Sequence, residues 1–172
     1  PTAVGSVAQV HAATTRAGED VVVKVVKPGV EQDLKTDLAM LAIAARGLEA
    51  VAPELSRASL AQSIDDLKRS VATEVDLSVE ARRLRQFHGF LEKWNLTSIA
   101  TAPRPVDTLS SSKVLAMSRL RGGPLVNSQG NKEDLVANAL RVWALSVVEG
   151  PFFHADLHAA NLFALDDGRV AF

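Results

Sequence analysis

The chain has 172 residues, 47% of them hydrophobic and 23% charged, enough to bury the core of one ordinary domain and too apolar for disorder. Its 19 Lys+Arg against 20 Asp+Glu create no basic field, so nucleic acid is not expected as a partner. With no cysteine, disulfide frameworks, thiolate zinc sites and thiol nucleophiles are excluded, and no apolar run approaches the roughly 20 residues of a transmembrane helix.

The opening Pro-Thr-Ala-Val-Gly-Ser carries no leader features and no initiator Met, and reads as the start of an excised piece. Val7 to Ala13 and Val21 to Val26 are β-prone runs joined by Arg16-Ala-Gly-Glu-Asp20, a turn-rich link that suits a hairpin. Lys27-Pro28-Gly29 stops the second strand. Apolar residues at Leu34, Leu38, Leu41, Ala45 and Leu48 then recur at helical spacing until Pro53, and residues Ser59 to Leu91 repeat the helical pattern. After Pro103 and Pro105, Lys113 to Leu120 reads as a strand that leaves through Gly122-Gly123-Pro124, a linker-like exit. A helix from about Glu133 to Glu149 stops at Gly150, where a left-handed cap is expected. Phe152 to Asp156 and Asn161 to Leu165 read as extended, followed by a turn at Asp166-Asp167-Gly168 and a last strand, Arg169 to Phe172.

Three constellations carry chemistry. Alternation in Val21-Val-Val-Lys24-Val-Val26 puts Lys24 on the face of Val22 and Val26, where a charge needs a carboxylate or phosphate partner. A solvated lysine on an edge strand is the alternative. In the second helical stretch, Leu77, Leu84, Phe87 and Leu91 form one stripe with Glu80 inside it. Glu80 is thus a candidate counter-ion for Lys24, while Glu74 and Asp76 flank the stripe, within range of a metal or a second lysine. A helix with acids at its solvent boundary accounts for the same spacing. The third is His154-Ala-Asp156-Leu-His158-Ala-Ala-Asn161. An Asp followed five positions later by Asn, between a helix and a hairpin, fits a kinase catalytic loop. His154, Asp156 and His158 as a transition-metal site, or a turn with satisfied polar groups, remain as alternatives.

The three occur in kinase order. Together with Ala3-Val4-Gly5-Ser6-Val-Ala8-Gln9, Lys24 to Gly29, Glu74-Val-Asp76, Glu80-Ala81 and Phe153-His154-Ala155-Asp156, the chain resembles the UbiB or aarF-domain (ADCK) group of atypical protein-kinase-like proteins over its whole length. The resemblance implies a truncated two-lobe α+β kinase-like fold: a small lobe with inserted helices over about 1–116, a hinge over about 117–123, and the start of a helical lobe over about 124–172. It implies a loop at Ala3, Val4, Gly5 and Ser6 covering nucleotide phosphates, Lys24 on phosphate and paired with Glu80, and Glu74 and Asp76 as an acidic motif facing the active site. Met117 to Leu120 would lie against adenine, with Asp156 catalytic and Asn161 a magnesium ligand. ATP and Mg2+ are the implied cofactors; a membrane lipid or quinone precursor and quinone-pathway enzymes are the implied partners, in a plastid, mitochondrial or bacterial setting. The implied function is an ATP-dependent kinase or ATPase tied to isoprenoid-quinone or prenyl-lipid metabolism. The alternatives are a nucleotide-binding regulatory module without phosphotransfer and a phosphotransferase of aminoglycoside-kinase type.

Departures from the family pattern fall at Val4, Gly5 and Ala8 in the loop, Arg83 for an Asn, Ser118-Arg119 in the hinge and Ala159-Ala160 for Pro-Gly. Ala155 replaces the arginine that in many kinases holds an activation-loop phosphate, so control by that switch is not expected. The Asp-Phe-Gly metal ligand is expected just after Phe172, so the stretch read here is not expected to be catalytically complete, and part of its apolar content is expected to face helices beyond it.

Overall fold

A computed structural model describes residues 3–51, 60–128, 131–153, 155 and 157–172, with Ala61 described by its backbone alone. The fold is α+β. Strands β1 (Ala3–Val4), β2 (Ala8–Thr14) and β3 (Asp20–Val26) form an antiparallel meander whose register pairs Val10 with Lys24. At its first turn the Gly5 N–H donates to the Ala8 carbonyl at 2.9 Å, and at its second Gly18 takes φ 86°, a conformation open to glycine at little cost.

Helix α1 (Val30–Val51) starts after Gly29, whose φ of 81° turns the chain off β3, and Glu31 and Asp33 in its first turn complement the helix dipole. It buries Leu38, Ala42 and Ala45 toward α2 (Leu60–Glu74), while Met40, Ile43 and Val51 stand exposed on its outer face. The helical stretch expected over Ser59 to Leu91 is divided between two helices. The chain breaks at Val75–Asp76, where Asp76 takes an extended conformation and accepts the Ser78 N–H at 3.0 Å as N-cap of α3 (Leu77–Lys93). The apolar period runs through the break, so periodicity alone does not reveal it.

Strand β4 (Ala100–Thr101) follows, then β5 (Val114–Ser118), which closes the first sheet in the order β1-β2-β3-β5. The expected linker at Gly122–Pro124 is instead strand β6, antiparallel to β7 (Phe163–Leu165), with β8 (Val170–Ala171) and the parallel β4 completing a second sheet. No residue of β6 favours a strand. Its partner supplies the hydrogen bonds, and Gly122, at φ 143°, lets the backbone approach Ala164 closely. Helix α4 (Lys132–Glu149) ends at Gly150 in an extended conformation, φ −79°, rather than the expected left-handed one. Glycine stands there because a Cβ would collide with the Ser146 carbonyl oxygen. Of the expected extended run Phe152 to Asp156, His154 and Asp156 lie outside the described residues. Residues Ala159–Asn161 form a 3-10 turn rather than the start of a strand.

Two cores result. Val26, Leu77, Ala81, Leu115 and Met117 are packed between the first sheet and the start of α3. Phe90, Leu91, Ala139, Val142, Leu162 and Val170 join the end of α3 to α4 and the second sheet. His88, on the same helix, is 7% exposed with its Nε2 3.4 Å from the Pro103 carbonyl oxygen.

Gly122→Ala is expected to destabilise the protein by about 2 kcal/mol or more, because the added Cβ meets backbone and the dihedral is strained, read as a lower urea midpoint. His88 adds a pH dependence. Burial, then the charge of Arg104, push its pKa below the ordinary 6.5. The unfolded chain therefore binds a proton that the native state resists, and stability falls as pH drops through the window below 6.5. His88→Gln keeps a donor and cannot titrate there, so its thermal midpoint is expected to fall less than the parent's between neutral and mildly acidic pH.

Candidate functional site

The side chains that read as chemistry meet between the two sheets. Pairing of β3 with β5 sets Val22 opposite Met117 and Lys24 opposite Leu115, so all four share one face. That face packs on α3 through Leu77 and Ala81. Glu80, three residues along α3 from Leu77, is thereby aimed at the strand. The Lys24 Nζ donates to Glu80 Oε2 at 2.6 Å across a separation of 56 residues. With their side chains 29% and 37% exposed, the pair is reachable from solvent.

Val22, two residues from Lys24 on the same face of β3, opens onto a cleft of about 240 Å³. Val22, Met117, Ser118 and Leu120 form one wall, and Asn161, Phe163 and Phe172 the other. Pro103 closes one side, held where Pro105 bridges to Met117 and where the Ser118 N–H donates to the Arg104 carbonyl at 2.8 Å. Phe172 also borders a smaller cavity of about 120 Å³ behind Glu80, shared with Arg83, Phe87, Trp143 and Phe152. Its ring meets that of Phe87 edge-on at 5.3 Å.

Of the residues singled out in the sequence, Lys24 and Glu80 are brought together, and Met117, Leu120 and Asn161 line one cleft. Ala3, Val4, Gly5 and Ser6 occupy the exposed β1–β2 hairpin at the far edge of the first sheet and do not line it. Asp76 is committed to the start of α3: hydrogen bonds from the Ser78 hydroxyl (2.7 Å) and N–H hold its pKa below the ordinary carboxylate value, helped by the charges of Lys113 and Arg82. Glu74 is exposed at the end of α2. Asp156 and His154 lie outside the described residues. His158 Nδ1 accepts the Ala160 N–H at 3.2 Å, capping the turn that carries Asn161. Among the described residues no group of three or more His, Asp or Glu is placed to hold a metal.

Pro103, Phe163 and Phe172 are cleft residues that the sequence did not single out. They carry no local signal, since each reaches the cleft through pairing with a distant strand. Val22 had one: it is two residues from Lys24 on the same face.

A family model described as ABC1 atypical kinase-like domain matches residues 1–172. An aarF domain-containing protein kinase of Arabidopsis thaliana, described as chloroplastic, is 42% identical over 179 residues, covering 100% of this chain and 33% of that protein. The probable protein kinase UbiB of Pseudomonas putida is 34% identical over 169 residues, covering 95% of this chain and 31% of its own length. The chain thus spans about a third of the length of these relatives. Among solved structures, Rv3197 of Mycobacterium tuberculosis, in its complex with erythromycin, matches with a TM-score of 0.77 at 23% identity, covering 100% of this chain and 43% of that one. The fold is that of a kinase-like protein, and the chain belongs to the ABC1 atypical kinase-like family, alongside the UbiB and aarF-domain kinases.

Proposed function

We propose that the cleft is the nucleotide site of an ATP-binding, magnesium-dependent kinase or ATPase of the UbiB type, linked to isoprenoid-quinone or prenyl-lipid metabolism at a membrane surface. The observation that carries this reading is the 2.6 Å Lys24–Glu80 pair set beside an apolar slot walled by Val22, Met117 and Leu120. A slot of that chemistry suits a flat heteroaromatic base, and a partly exposed ammonium held by one carboxylate remains available to a phosphate oxygen. Glu80 orients Lys24 and limits its rotamers, so less order is lost when phosphate arrives.

The remaining roles follow the kinase order. The small side chains of Ala3, Val4, Gly5 and Ser6 let the β1–β2 hairpin close over phosphates, and the residues about 117–123 act as a hinge between a small lobe over about 1–116 and the start of a helical lobe over about 124–172. Asn161 offers a hard carboxamide oxygen of the kind magnesium takes, with Asp156 orienting or deprotonating the acceptor. Bound magnesium would neutralise phosphate charge. Glu74 and Asp76 stand as an acidic motif on the elbow before α3, and Asp76 reaches the site through the helix it caps. The partners proposed are a membrane lipid or quinone precursor and quinone-pathway enzymes. The chloroplast description of one relative and the bacterial origin of another support a plastid or bacterial membrane setting. Among the described residues no helix is long and apolar enough to cross a membrane.

The test is ATP binding and phosphate release by the purified full-length protein with magnesium. Lys24→Met is expected to weaken ATP binding on the order of tenfold, the loss of one charge-assisted hydrogen bond. Asp156→Asn is expected to keep binding while phosphate release drops by roughly a hundredfold or more. Equal release from Asp156→Asn and parent would overturn catalysis and leave a nucleotide-binding regulatory module. Unchanged ATP affinity in Lys24→Met would overturn the nucleotide site itself.

A further inference from the structure

Lys113, at the entry to β5, joins three elements distant in sequence. Its Nζ donates to Glu31 Oε2 in the first turn of α1 at 2.5 Å and to the Val75 carbonyl, between α2 and α3, at 3.2 Å. Glu31 also accepts from Lys35 at 2.7 Å, and its pKa falls to about 2, chiefly through the Lys113 and Lys35 hydrogen bonds. Around the same point the Val26 N–H donates to the Lys113 carbonyl at 3.0 Å, and the Leu77 N–H to the Ser112 carbonyl at 2.8 Å. The end of β3, the beginnings of α1 and α3, and the start of β5 are thus tied within two residues of Lys113.

Packing accounts for only part of how this elbow is held. Val75 and Leu77 are 5% and 2% exposed, but on the α1–α2 side a cavity of about 340 Å³ opens between Glu31, Leu38, Val71 and Val75. Apolar contact therefore restrains the elbow on one side only. The other restraint is polar, and Lys113 is the donor that spans from α1 to the elbow. Glu80 lies one helical turn beyond Leu77, so a shift of the elbow is passed along a rigid helix to its carboxylate.

We propose that Lys113 is a positioning residue for the Lys24–Glu80 pair: by clamping Glu31 and the Val75 carbonyl against β5, it sets the α2–α3 elbow and with it the reach of Glu80 to Lys24. This rests on the reading of that pair as part of a nucleotide site. It also gives the helical insertion a task, since α1 supplies the anion that holds the clamp.

The test compares Lys113→Met, Lys113→Arg, Glu31→Gln and Glu80→Gln in the purified protein, by calorimetric titration with ATP and magnesium and by amide exchange. Lys113→Met is expected to raise the ATP Kd about threefold to tenfold, Glu31→Gln less, and Lys113→Arg, which can still serve both acceptors, to restore most of the affinity. In the Glu80→Gln background Lys113→Met is expected to add little, because both changes act on one ion pair although Lys113 and Glu80 do not touch. Exchange at the Leu77 to Glu80 amides is expected to quicken in Lys113→Met and return to the parent rate in Lys113→Arg. Additive effects on Kd, or a loss of stability with unchanged ATP affinity, would overturn the proposal. Unchanged ATP affinity in Glu80→Gln would instead sink the nucleotide reading of the pair. The clamp is then decided by exchange alone: faster exchange at Leu77 to Glu80 upholds it and unchanged exchange overturns it. Should Lys113→Met not fold, Glu31→Gln is judged by the same criteria.

Discussion

Everything in the cleft depends on where α3 lies, and its position is set by two cores at once. Leu77 and Ala81 are buried against the first sheet, and Phe90 and Leu91 against α4 and the second sheet. Burying such side chains is worth about 1.5–3 kcal/mol apiece for the larger ones. A partly exposed ion pair is worth roughly 1 kcal/mol or less. With Lys24 and Glu80 about a third exposed, the pair does not hold the helix; the helix holds the pair. Its geometry is therefore a product of packing together with the polar contacts that fix the start of α3, and its charge remains available for other work.

The same helix links the sheets. The register of β3 against β5 sets the Lys24 side of the pair, and the aromatic contact of Phe87 with Phe172 joins the middle of α3 to the end of β8. Phe172 borders both the cleft and the cavity behind Glu80, so one ring touches both the strand end and the space beside α3.

The separation of Lys24 from Glu80 is filled by an insertion that packs on itself and is joined to the sheet by Val30 in the first core and by polar contacts. Leu38, Ala42 and Ala45 face α2, whereas Glu31 and the Val75 carbonyl meet at Lys113. Apolar surface remains outward at Met40, Ile43 and Val51, consistent with a chain that spans only a third of the length of its relatives.

Some of this was readable residue by residue. A lysine inside a valine strand and a glutamate inside an apolar helical stripe each need a partner, and both needs follow from periodicity, which local sequence determines. The helix α4 was legible for the same reason, and the turn at Asp166–Gly168 from its Asp-Asp-Gly composition. The break at Val75–Asp76 was not, because the apolar period continues across it and a capping conformation overrides it. Nor were β4 and β6, two and three residues long, which are too short to show a pattern and become strands because β8 and β7 offer hydrogen bonds. By itself the sequence determined which groups carry charge on apolar faces and in what order. Tertiary structure alone decided that Lys24 meets Glu80, that Pro103 and Phe172 enclose the cleft and that Asp76 caps a helix. Each of these depends on pairing or packing with neighbours whose positions no local pattern records.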